Sequence, residues 1–265
     1  MPAHFLDELA VAPVSAFGRA QHDIGRIFAD RVGAIVEYEH YRRNNRPELP
    51  PLAEYSSSPI TGQISGLLDG HVPAQPNLSL QPIHADAITI PQGLGAVPAW
   101  TAFVKRAEAT ARDVGFADSV AAGLAGAIRE LADNIFQHAE SLTSGIAAFA
   151  RNPDRFEYVV ADSGIGMLAS LRKASEFRSI RDDLEALPLA VTPGVSRHGR
   201  GVGYGYGYRA VFLPLRAANG SVRLRSGKAV LQIVGSGPRP DQGMCSQRPY
   251  HHGVVVTVEI FPGSQ

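Results

Sequence analysis

Residues 156–166 read Phe-Glu-Tyr-Val-Val-Ala-Asp-Ser-Gly-Ile-Gly. The first six make an apolar run of strand length, and Asp162-Ser163-Gly164-Ile165-Gly166 ends it. A carboxylate at a strand end can accept a hydrogen bond from a purine amino group, while the two glycines let the backbone approach the ring. Taken alone, the pentapeptide reads first as an ordinary Asp/Gly turn. The choice rests on what stands before and after it.

Upstream, residues 130–138 read Glu-Leu-Ala-Asp-Asn-Ile-Phe-Gln-His, so Glu130, Asn134 and His138 recur at four-residue spacing and share one helical face. A carboxylate, an amide and an imidazole stacked this way can hold a hydrated Mg²⁺ and orient a water or hydroxyl. Without further context they form a solvated polar stripe. Downstream, residues 199–208 read Gly-Arg-Gly-Val-Gly-Tyr-Gly-Tyr-Gly-Tyr and run into the apolar segment RAVFLPLRAA. Alternating glycines expose backbone N–H groups, and a helix N-terminus behind them favours anions, which makes a phosphate cradle. Other nucleotide signatures are missing. The Gly227-Lys228 pair is followed by Ala229 and not by Ser or Thr, and the glycine run lacks the GxxG step of a dinucleotide fingerprint.

The flanking pattern predicts a strand at 86–90, helices at about 97–114 and 119–141, strands around 144–151 and 156–161, and a helix at about 207–217. Strands follow near 221–226, 229–234 and 253–261. Helices followed by a mostly antiparallel sheet imply an α+β fold, a two-layer α/β sandwich. Before residue 80 the organisation differs. Apolar positions at helical spacing cover 14–43, and a Pro/Ser-rich stretch, 44–80, reads as a connector with room for a short helix near Ile64, Leu67 and Leu68. The division expected is therefore an N-terminal extension, 1–80, and a nucleotide-binding domain, 81–265.

Composition narrows the function classes. The chain has 265 residues, with 25 Lys+Arg against 25 Asp+Glu, so it lacks the cationic excess that nucleic-acid and membrane surfaces attract. The single Cys245 allows neither an internal disulfide nor a cysteine zinc site. No apolar run nears the roughly 20 residues of a membrane span, and no signal peptide is read at the start. A cytoplasmic protein is expected.

The three motifs, in this order, resemble those of the GHKL superfamily, the Bergerat-fold ATPases that include gyrase, a heat-shock chaperone, MutL and the histidine kinases. ELADNIFQH is similar to the N-box, DSGIG to the G1 box and GYGYGY to the G2 box, and the resemblance spans roughly residues 85–262. It is nearest to stand-alone bacterial ATP-binding proteins of the anti-sigma-factor kinase type, whose lid segment IRDDLEALPLAVTPGVSRHGRG resembles. Counting back from Gly220 aligns Gly203, Gly205 and Gly207 with the G2 box and leaves Gly199 and Gly201 to the lid hinge; Tyr204, Tyr206 and Tyr208 depart from the small or aliphatic residues usual there.

The resemblance implies ATP and Mg²⁺ as ligands. Asn134 would bind the metal and Glu130 would be the catalytic base. Asp162 would bond the adenine amino group, with Gly164 and Gly166 against the ring. Gly203, Gly205 and Gly207 would offer amides to the phosphates. Arg197, His198 and Arg200 would reach them from the lid, and His138 would support the site. The expected activity is ATP hydrolysis by a regulatory or effector subunit with a protein partner. The alternatives are a protein Ser/Thr kinase of the anti-sigma type, a non-hydrolysing ATP/ADP switch, and a histidine kinase using His22. The last lacks a second hairpin helix, because residues 44–80 are rich in proline, and a gyrase- or MutL-like transducer would need further chain. The N-terminal helix offers a surface for homodimerisation or for the partner.

Overall fold

The computed structural model describes residues 31–54, 58–70, 84–91, 97–138, 145–196, 198–200 and 207–263, with backbone alone at 136–138, 207 and 217. Helices α1 (Val32–Asn45) and α2 (Pro59–Leu68) come first, followed by β1 (Ala85–Thr89), α3 (Pro98–Val114) and α4 (Asp118–His138). Next are β2 (Gly145–Asn152), β3 (Arg155–Asp162), α5 (Gly166–Leu171), α6 (Asp183–Ala190), the short strands β4 (Val195–Ser196) and β5 (Gly199–Arg200), and α7 (Gly207–Phe212). The long strands β6 (Asn219–Ser236) and β7 (Met244–Phe261) close the chain. The fold is α+β, with an antiparallel five-stranded sheet ordered β1-β2-β3-β7-β6 and a separate β4-β5 hairpin.

Local chemistry sets these elements. Pro98 opens α3 where a missing N–H costs nothing, and Gly115 closes it at φ 108°, donating its N–H to the carbonyls of Ala111 and Arg112. In α4, Leu124, Ile128, Leu131 and Ile135 recur every three or four residues and are all buried. Pro153-Asp154 turns β2 into β3, where Asn152 and Arg155 face each other.

β6 cannot be straight. Eighteen extended residues would span roughly 60 Å, yet the Gly237 N–H donates to the Ala218 carbonyl at 2.8 Å. The strand folds back at Gly227, where φ is +55° and the pairing register with β7 breaks. Its two arms hold the stretches 221–226 and 229–234 that the sequence marks as strands. β7 begins well before the expected residue 253, because 244–247 pair with the second arm of β6.

The sheet is covered on both faces. On one, α3, α4 and α7 bury Phe103, Leu124 and Val211 against Phe149, Tyr158, Val160 and Val258. On the other, α1 and α2 bury Ile35, Val36, Ile60 and Ile64 against Ile146, Ala148, Val159 and Val255. Helices from the region before residue 80 thus pack on the second face of the sheet, where β2 presents the small side chains of Ala148 and Ala150. A third cluster, around Phe177, Ala186 and Val195, holds α5, α6 and the β4–β5 hairpin together. Among the described residues no helix is long and apolar enough to cross a membrane.

Candidate functional site

Asp162 is the last residue of β3, facing Gly145 of β2 and Val254 of β7, and it is 6% exposed. Its Oδ1 accepts the Gly164 N–H at 2.7 Å, and the Val254 N–H also bonds the carboxylate. Burial raises its pKa to about 6, against the pull of these two N–H donors. The Asp-Ser-Gly turn therefore fixes an ionisable carboxylate in an enclosed position, with acceptor capacity beyond its two backbone donors.

The backbone around it is tightly packed. Gly253, at φ +72°, runs so near that a Cβ there would overlap the Asp162 carbonyl. Gly166, at φ +78°, starts α5, and a Cβ there would lie 2.9 Å from Ser226 Oγ. That hydroxyl accepts the Met167 N–H at 3.0 Å, which ties α5 to β6. Glycine is required at both places, for conformation and for space.

Two further elements reach this strand end. Gly145, opposite Asp162, has Ile135 of α4 against it, only 3.1 Å from where a Cβ would be. This brings the C-terminal half of α4, which carries the half-buried Glu130 and Asn134, to the β2–β3 margin. From α7, Tyr208 comes close enough that the Asp162 charge, added to burial, raises its phenol pKa. The first turn of α7 thus lies on the Asp162 side of the sheet, with Tyr208 packed against its apolar core.

Arg200 is placed elsewhere. It pairs with Val195 in the β4–β5 hairpin, its Nε lies 3.0 Å from Glu176 Oε1, and its guanidinium stands 5.7 Å over the Phe177 ring. His198 is exposed at the hairpin tip and donates its N–H to Ser196 Oγ. His22, Arg197, Gly201, Gly203 and Gly205 lie outside the described residues, as does the His138 side chain; Gly207 is described as the first residue of α7.

No known family profile and no curated protein matches the chain. The site therefore stands on its own geometry.

Sequence reading missed a polar cluster behind the Asp-Ser-Gly turn. Ser163 Oγ lies 2.7 Å from His40 Nε2 of α1, and Asn44 Nδ2 donates to the His40 carbonyl at 2.8 Å. The His40 ring stacks on His251 of β7, with centroids 5.0 Å apart. Burial, then the neighbouring His251, His252 and Arg43 charges, hold His40 well below the usual histidine range. Burial lowers His251 to about 4 despite the opposing pull of Glu37. Both rings are neutral at pH 7. Beside them Glu37 takes two bonds of 2.8 Å from Arg223, with Arg225 Nε at 3.6 Å. Burial alone would raise the Glu37 pKa, but Arg223 and Arg225 outweigh it and bring it to about 2. The only signal for this cluster was the His251-His252-Gly253 run, which nothing in the sequence ties to α1.

Proposed function

We propose that the chain binds ATP with Mg²⁺ where β3, α4 and α7 meet, and hydrolyses its terminal phosphoanhydride bond. The observation that carries this reading is Asp162: an enclosed carboxylate at a strand end, held by its own turn and flanked by glycines that need left-handed or crowded backbone. Such a group suits an exocyclic amino donor on a flat ring, because ring stacking needs close backbone approach and the amino group needs a fixed acceptor.

The other roles are those the resemblance implies. Gly164 and Gly166 border the ring. Gly203, Gly205 and Gly207 would offer amides to the phosphates, and Arg197, His198 and Arg200 would reach them from the lid, Arg200 by leaving its Glu176 partner. The Glu130 carboxylate takes the proton of the attacking water as its oxygen bonds to the γ-phosphorus; the β–γ bridging oxygen departs with ADP, leaving inorganic phosphate. Mg²⁺, when bound, neutralises charge on the phosphate oxygens. Asn134 would hold it, the remaining ligands being phosphates and water, as suits a hard cation that keeps much of its hydration shell. The Bergerat arrangement and a protein partner belong to the same proposal.

Calorimetry with ATP and Mg²⁺ on the wild type and Asp162→Asn tests it. Binding by the wild type and its loss in the variant are expected; equal affinity overturns the adenine role. γ-Labelled ATP then identifies the reaction. Free phosphate means hydrolysis, label on an added protein means a protein kinase, and label on the chain itself means an autokinase.

A further inference from the structure

On the sheet face opposite Asp162, a cavity of about 480 Å³ opens between the first turn of α1 and the strands β3, β6 and β7. That volume is in the range of small-ligand sites, roughly 300–1,000 Å³. It is independent of the nucleotide reading.

Its cationic side chains are already matched. Arg223 is held by Glu37 through two bonds of 2.8 Å, and Arg31 Nη1 donates to Glu259 Oε1 at 2.6 Å. Glu157, also on the cavity wall, is not matched in the same way. It is 2% exposed, and its Oε1 accepts the Gly33 N–H at 2.8 Å. Its Oε2 makes no hydrogen bond, and Arg155 Nη2 stands 3.8 Å away. Thr257 Oγ1, also on the cavity wall, is buried without a hydrogen bond. A buried carboxylate oxygen can only be satisfied by a donor, and leaving it alone is costly. Close packing sets this geometry: at Gly33 a Cβ would lie 2.8 Å from Glu157 Oε1.

We propose that this cavity binds a small organic cation, a primary ammonium or guanidinium on a short body, whose N–H-bearing charge pairs with Glu157 on the cavity wall. An anion is disfavoured because both arginines are engaged by their own carboxylates. A neutral donor would leave Glu157 beside Glu259 without added positive charge.

Proton competition gives the site a signature. Burial, and then the Glu259 charge, raise Glu157 to about 7, while Arg155, the Gly33 N–H and Arg31 pull the other way. The remaining charged neighbours are Glu37, ionised down to about pH 2, and Arg223. A cation needs the ionised form of Glu157. Its affinity should therefore fall about tenfold for each pH unit below 7 and level off above it.

Calorimetry on the full chain with agmatine and putrescine, at pH 6, 7 and 8, tests this, with tetramethylammonium as a cation that has no N–H. Expected are one-to-one binding of agmatine or putrescine, weaker binding of tetramethylammonium, and the stated pH slope. Glu157→Gln should lower affinity at least about tenfold and flatten the slope. Ser221→Trp, which fills the cavity wall from β6, should block binding, and serves if Glu157→Gln does not fold. No heat from either amine at millimolar concentration overturns the proposal. So does binding that both variants leave intact, or binding indifferent to pH.

Discussion

The two faces of the sheet solve the same burial problem with different chemistry. Against α3, α4 and α7 the sheet presents Phe149, Phe156, Tyr158 and Val160 to an apolar helical layer. Against α1 it presents an apolar centre around Val159 and Val255, bordered by the buried Arg225, His251 and Glu157 and the half-buried Arg223, which pairs with Glu37 of α1. Apolar packing tolerates small shifts, whereas buried charges fix position because each requires its partner. The first face supplies the bulk of the core. The second fixes where α1 sits, and α1 in turn touches the Asp162–Ser163 turn through His40.

The sharpest way to separate the faces is acid. Phe103→Ala should cost about 3–5 kcal/mol by leaving a void in the apolar layer, and urea unfolding should give that loss equally at pH 7 and pH 3. Glu37→Ala should cost a similar 3–5 kcal/mol at pH 7, because Arg223 loses a buried partner. That loss should shrink in acid. The folded pKa of Glu37 is about 2, below its ordinary 4.5, so its contribution is complete above 4.5 and fades as pH falls toward 2. Equal pH 3 penalties for the two variants would break the distinction.

Asp162 follows the opposite sign. Its folded pKa, about 6 against an ordinary 3.8, means that the folded state prefers it protonated, so its stabilising effect is lost as pH rises through 6. Asp162→Asn should therefore unfold at the same temperature as the wild type or higher at pH 8, while losing ATP. In the wild type, ATP affinity should drop about tenfold per pH unit below 6, when the acceptor is protonated. A variant that loses both stability and ATP would mean a scaffolding role only.

Smaller effects test the coupling between faces. Ser163→Ala should cost roughly 1 kcal/mol by removing the hydroxyl from His40, and weaken ATP only slightly. Ser221→Ala, on the charged face, removes only a long 3.3 Å hydrogen bond to Glu259 Oε2 and should cost about 0.5–1 kcal/mol in urea.

Most of the apolar face could be read from the sequence. The helical spacing of Leu124, Ile128, Leu131 and Ile135 and the stop at Gly115 are local signals, carried by near neighbours in the chain. The strand carrying Asp162 was equally clear from FEYVVA. The second face was also written there, in a form easy to pass over. AAFA in β2 and YVVA in β3 do not alternate with polar residues, and continuous apolar strands are those buried on both sides. What could not be read was the pairing of charges. Arg223 and Glu37 are 186 positions apart, and only the folded sheet makes them neighbours. The break inside β6, by contrast, was legible: 221–226 and 229–234 read as separate strands, and the chain folds back at the Gly227 between them.

That reversal bears on how the protein can be engineered. Exposed hairpin tips usually accept inserted tags, reporter domains or new chain ends. Here the Lys228 N–H donates to Asp183 Oδ2 at 2.9 Å, and the Asp183 carboxyl occupies the space a side chain at Gly227 would need. The tip is clasped by α6, so a reporter spliced between Gly227 and Lys228 would pry that helix from the sheet.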